Sequence, residues 1–153
     1  MSEDFPRWPG IAGTIVCVLG LGVAGYLTFE HYTSSSSLAC SDNGAINCLK
    51  VTTSSYSSVA GVPVAVLGLV FFVVMLALQV PAMWQRPERW VRVARLVWAT
   101  AGVGTVVYLL YAELFAIDAI CLWCTSVHVL TVVLFGTTVY ASLSYPPPEV
   151  AVS

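Results

Sequence analysis

The run Ala119-Ile120-Cys121-Leu122-Trp123-Cys124-Thr125-Ser126-Val127-His128-Val129-Leu130-Thr131-Val132-Val133-Leu134-Phe135-Gly136-Thr137-Thr138-Val139-Tyr140 has no ionisable side chain except two cysteines, His128 and the closing Tyr140. At about 1.5 Å of rise per residue a helix of this length crosses a hydrocarbon core of about 30 Å. Three further stretches have the same character. Residues 11–29 and 62–84 hold no charge, and 96–112 lies uncharged between Arg95 and Glu113. In lipid the backbone must satisfy its own N–H and C=O groups, so all four are expected as helices. That includes the β-branched run 64–74, which reads as strand in water.

The composition agrees. The chain is 58% hydrophobic and 9% charged over 153 residues, where soluble domains run at roughly 45 to 50% and about 25%. A soluble enzyme, a disordered tail and a disulfide-laced secreted mini-protein are excluded. Six basic and eight acidic residues give a net charge of −2, which excludes nucleic-acid binding by charge. The expected architecture is an all-α integral membrane protein, a four-transmembrane-helix bundle with a long extracytoplasmic loop between helices 1 and 2. Residues 1–9 form a cytoplasmic tail and 10–143 the membrane domain. Its helices fall near 11–30, 62–84, 92–114 and 119–142, with an outer loop at 31–61 and a flexible tail at 144–153.

Orientation follows from the short connections. Arg7, Arg86, Arg89, Arg92 and Arg95 lie on one side and Lys50 on the other, so both termini are expected in the cytoplasm of a multi-pass protein of the cell membrane. Arg86, Arg89, Arg92 and Arg95 read as topology anchors and anionic-lipid contacts. Trp8, Trp84 and Trp90 on one side, and Tyr26, Tyr32, Tyr111 and Trp123 on the other, suit aromatic belts. The leader Ser2-Glu3-Asp4 is acidic and the first apolar run is long, which favours an anchor over a cleaved signal.

Four of the five cysteines then lie on the outer side, where disulfides persist. Cys17 sits deep in the first span and reads as a small apolar filler. Asp42-Asn43-Gly44 is a turn signal between Cys40 and Cys48 that lets those sulfurs meet. Cys121 and Cys124 share one face at the start of the last helix, where the macrodipole favours a thiolate. Closing so short a loop removes little unfolded-state entropy, so redox work is a better reading of that pair than a staple. Thiolates at this spacing also suit zinc or copper. His128 lies on the same face one turn deeper, either to bond or protonate a substrate oxygen or to hold the bundle by an interhelical hydrogen bond. Bundle packing accounts for Tyr108, Tyr111 and Phe115, although the three can also wall a planar ring, with Tyr108 and Tyr111 as the candidate cofactor contacts. Glu113 and Asp118 are placed at the membrane surface, and either can relay protons.

Two dithiols on one side of a membrane suggest a relay, an aqueous pair meeting a soluble partner and an intramembrane pair meeting a lipid-soluble carrier. A quinone is the natural sink. A soft-metal membrane carrier and a scaffold stapled by four structural cysteines are the rival readings.

Taken together, the run 40–48 followed by Lys50-Val51 and Ser54, then Gly61-Val62-Pro63, then Cys121-Leu122-Trp123-Cys124, resembles the vitamin K epoxide reductase family over about residues 10 to 142. The resemblance implies an active-site pair Cys121 and Cys124, with Cys124 facing the quinone, and a shuttle pair Cys40 and Cys48. It implies a quinone acceptor of menaquinone or ubiquinone type and, with no fused thioredoxin domain expected before Ser153, a separate thioredoxin-fold thiol oxidase as partner. Ser54 matches a family serine or threonine near the redox centre, and His128 stands where vertebrate members carry a quinone-bonding tyrosine. A vertebrate asparagine at the start of helix 2 has no counterpart in Pro63-Val64-Ala65, which makes quinone or vitamin K epoxide reduction as the primary task an alternative.

Overall fold

In the first helix of the computed structural model, α1 (Trp8–Thr33), the buried positions include Gly10, Gly13, Cys17, Gly20, Ala24 and Leu27. Their alternating spacing of three and four puts one narrow seam toward the neighbouring helices. The structure describes residues 6–33, 39–40, 43–86 and 88–145. The leader Ser2-Glu3-Asp4, residues 34–38 of the outer loop, Asp42 of the turn signal and the tail from 146 onward lie outside them.

Along the described chain α1 is followed by a short α2 (Cys48–Thr52), a hairpin of β1 (Ser58–Val59) and β2 (Val62–Pro63), α3 (Val64–Gln79), α4 (Pro81–Trp84), α5 (Arg89–Tyr111) and α6 (Leu122–Ser144). α1 packs on α3 and α6, and α5 on the same two, so the four long helices close a ring. Cys17, Ala24, Phe72, Met75, Ala99 and Leu134 form the buried centre. Close approach is set by small residues, since a Cβ on Gly20 would collide with the Phe72 ring. The outward faces carry Ile15, Val18, Val97, Val107, Val129 and Leu143, all exposed. α1, the continuous helix Arg89–Ile117 and α6 are long and apolar enough to cross a membrane. α3 is apolar but only 16 residues long.

That shortness corrects the expectation of one helix over 62–84. At its start Val62 and Pro63 pair antiparallel with Val59 and Ser58. At its end Val80 turns extended (φ −54°, ψ 141°) before Pro81, which lacks the N–H that the helix ladder needs. Pro81 instead opens α4.

The break exposes carbonyls, and Arg95 satisfies them: its Nε donates to the Leu78 carbonyl at 3.0 Å and its Nη2 to that of Met83 at 3.2 Å. The guanidinium lies 3.7 Å from the centre of the Trp84 ring. Trp84 Nε1 donates to Gln79 Oε1 at 2.9 Å, and Gln79 Nε2 to Thr138 Oγ1 at 2.6 Å. Arg95 and Trp84, read from sequence as surface anchor and belt residue, are therefore 3% and 7% exposed parts of the interior. Arg86 and Arg89 remain exposed.

At its far end α5 widens into a π-helical stretch, Ala112–Ile117, across the short connection expected between helices near 92–114 and 119–142. Asp118 ends it in the left-handed region (φ 53°), and the Ala119 N–H closes on the Glu113 carbonyl at 3.1 Å.

Candidate functional site

Cys121 is the N-cap of α6, with extended backbone (φ −101°, ψ 114°), and its Sγ accepts a hydrogen bond from the Cys124 N–H at 3.3 Å. A sulfur does here what a serine or aspartate oxygen does at an ordinary cap. That N–H and the helix dipole favour negative charge on the sulfur. Neither Cys121 nor Cys124 is in a disulfide.

Cys40 and Cys48 are joined by a disulfide, with Cα atoms 6.1 Å apart. Gly44 supplies the positive φ of the turn between Asn43 and Ile46. Asn47 then caps α2, its Oδ1 accepting from the Lys50 N–H at 2.8 Å. Two sets of bonds fasten this loop to the mouth of α6. The Ile120 N–H donates to the Ala45 carbonyl at 2.9 Å, and the Asn47 N–H to the Ile120 carbonyl at 3.0 Å. On the other side Trp123 Nε1 donates to the Ala39 carbonyl at 3.1 Å, with its ring 4.8 Å from that of Tyr26. The residues next to each loop cysteine are thus held by Ile120 and Trp123, which adjoin Cys121 and Cys124. Cys48, Val51, Ala112, Ile117, Ala119 and Cys121 are buried as one cluster, with Cys40 and Cys124 packed against it.

Beneath this cluster lies a cavity of about 350 Å³ walled by all four long helices and by the segment that follows Cys48. Phe71 and Trp98 give it apolar walls, and Cys124, His128 and Ser54 line it. His128 is 5% exposed and its Nδ1 has no hydrogen-bond partner among the described residues. Ser54 donates its own hydroxyl to the Val51 carbonyl at 2.8 Å. Val64 and Ala65 occupy the wall where the resemblance left no asparagine. Cys121, fully buried, is not part of the lining. The pair therefore has one sulfur among the loop residues and one on the cavity.

The structure does not bring every candidate together. Tyr108 and Tyr111 are outside the lining and exposed, and Tyr111 stacks on Phe115 at 5.3 Å between ring centres. Cys17 lies in the bundle centre among Ala24, Phe72 and Leu134. Glu113, by contrast, was read as a surface charge and is 3% exposed on the cavity wall. An acidic residue next to an apolar span was the available signal, but ending the span at 112 put it in water. Tyr56, also on the wall, gave no signal in a serine-rich stretch.

The chemistry available is thiol–disulfide exchange between two adjoining cysteine pairs, one of them opening onto an apolar chamber. The model of the Vitamin K epoxide reductase family matches residues 11–139, and the chain belongs to that family of membrane oxidoreductases.

Proposed function

We propose that the protein is a quinone-dependent thiol–disulfide oxidoreductase of the cell membrane, taking electrons from a separate thioredoxin-fold thiol oxidase and so supporting disulfide formation outside the cytoplasm. One observation carries this reading: the Cys40–Cys48 disulfide is packed in one buried cluster with Cys121, whose partner Cys124 opens onto the cavity.

The partner's thiolate attacks the Cys40–Cys48 disulfide and leaves as a disulfide itself. The freed Cys48 thiolate attacks Cys121 of the oxidised helix pair, Cys124 departs as a thiolate on the cavity side, and Cys40 resolves the mixed disulfide. Each exchange moves two electrons and conserves the number of S–S bonds. A bound quinone of menaquinone or ubiquinone type supplies the acceptor for two electrons and two protons. The chamber suits such a ring: its volume lies in the ordinary range for small-molecule sites, its walls at Phe71 and Trp98 are apolar, and the free Nδ1 of His128 offers one bond to a ring oxygen. Ser54 adds a hydroxyl at the loop side.

In the membrane, the apolar rod built from α3 and α4 is the fourth span, the termini are cytoplasmic and the cysteine loop is extracytoplasmic. Five of the six basic residues on the terminal side support that orientation.

Thiol trapping in membranes tests the reading. With excess partner dithiol and no quinone, all four cysteines are trapped reduced; adding quinone returns Cys121 and Cys124 to the disulfide. Full quinone reduction by Cys124→Ala overturns it.

A further inference from the structure

Closing a dithiol to a disulfide breaks two S–H bonds, forms one S–S bond and releases two electrons and two protons. On the reading above both electrons and both protons go to a quinone, which becomes the hydroquinone. Cys124 lines the cavity and can pass its proton directly. Cys121 does not line it, so its proton needs a carrier.

Glu113 stands at that gap. Its carboxylate faces the backbone N–H of Cys121, and the same side chain lines the cavity with Cys124 and His128. It is carried there by the π-helical stretch Ala112–Ile117, a distortion that recurs at functional sites because it re-aims side chains. Burial of a carboxylate at 3% exposure is costly without a cation, and among the described residues no ion pair is formed by Glu113. With no cation beside it, a carboxylate at this position is a ready acceptor for a nearby proton. Asp118, the other acidic residue nearby, is exposed to water. The other titratable groups on the same wall are His31 from α1, Tyr56 after α2, and Cys124 and His128 from α6.

We propose that Glu113 is the proton carrier of the Cys121–Cys124 pair: its carboxylate takes the proton from the Cys121 thiol as the disulfide closes and delivers it across the cavity to a quinone oxygen. This rests on the function proposed above, and the tests separate the two.

The full chain is reconstituted in lipid, and E113Q and E113D are compared with the native protein. First, with no quinone present, the pair is cycled between dithiol and disulfide by a small-molecule disulfide. The infrared difference spectrum is expected to show a glutamic-acid carboxyl band that moves with 13C-glutamate labelling and is missing in E113Q. Second, oxidation of the reduced pair by a short-chain ubiquinone analogue is followed by rapid-quench alkylation. Loss of a proton-transfer group slows such steps on the order of 100-fold or more, so E113Q is expected to slow by that much, with partial recovery in E113D and on addition of acetate. A native rate in E113Q, or a slowed rate that acetate does not raise, overturns the assignment. So does a native spectrum with no glutamate band, a result that stands even if E113Q does not accumulate. Failure of the native protein to be oxidised by quinone while the band is present removes the quinone function and leaves the proton assignment to Cys121 standing.

Discussion

Cys121 and Cys124 are one helical turn apart and face different surroundings, the first among the residues of the disulfide loop and the second on the apolar chamber. Their replacement should therefore fail at different steps. Cys121→Ala is expected to block transfer from the loop pair and Cys124→Ala to block quinone reduction, each visible as loss of quinone absorbance change. Cys40→Ala should still be reduced by small dithiols. His128→Leu removes a buried ring nitrogen on the wall that has no partner among the described residues. If that nitrogen holds the acceptor, its loss costs about 1–3 kcal/mol of binding, an increase in apparent KM on the order of 10-fold. The cysteines were legible because spacing alone restricts what two thiols on one helix turn can do. Glu113 was not, because hydropathy ended the span at residue 112 and no sequence pattern announces that a π-helical stretch will carry the helix on and turn residue 113 inward.

At the scale of elements, the bonds that hold the loop can be cut one at a time. Trp123→Phe keeps the ring beside Tyr26 but removes the donor to the Ala39 carbonyl, a loss of about 1 kcal/mol. Faster reduction of Cys40–Cys48 by dithiothreitol is expected, with the bundle's unfolding midpoint little changed. Gly20→Val drives a side chain into the Phe72 ring at the α1–α3 contact and should destabilise the bundle by about 1–3 kcal/mol, measured by denaturant unfolding in detergent. Helix existence could be read from composition, but helix ends and facings could not. In lipid both faces of a helix are apolar, so the buried seam of α1 differs from its outer face by residue size more than by hydropathy. The α3–α4 break was encoded locally by Pro81, yet the uncharged run around it hid the signal. Arg95 follows from that break: its guanidinium serves the carbonyls of Leu78 and Met83, a fit that no count of surface arginines could reveal.

For the molecule as a whole, four helices in a ring place the loop disulfide, the helix pair and the chamber at one end, the arrangement that the proposed relay from an aqueous partner to a lipid-soluble acceptor requires. The helical membrane class, the joining of Cys40 to Cys48 and the family were within reach of the sequence. The fastening of that loop by Ile120 and Trp123 was not, since it depends on backbone groups far apart in the chain. The central claim is that the loop pair and the helix pair exchange electrons directly. The sharpest test is a doubly substituted protein, Cys40→Ala with Cys124→Ala, oxidised in membranes and digested for mass spectrometry. A peptide linking Cys48 to Cys121 in most of the protein is the expected result. Recovery of both as free thiols under the same oxidation would contradict the account.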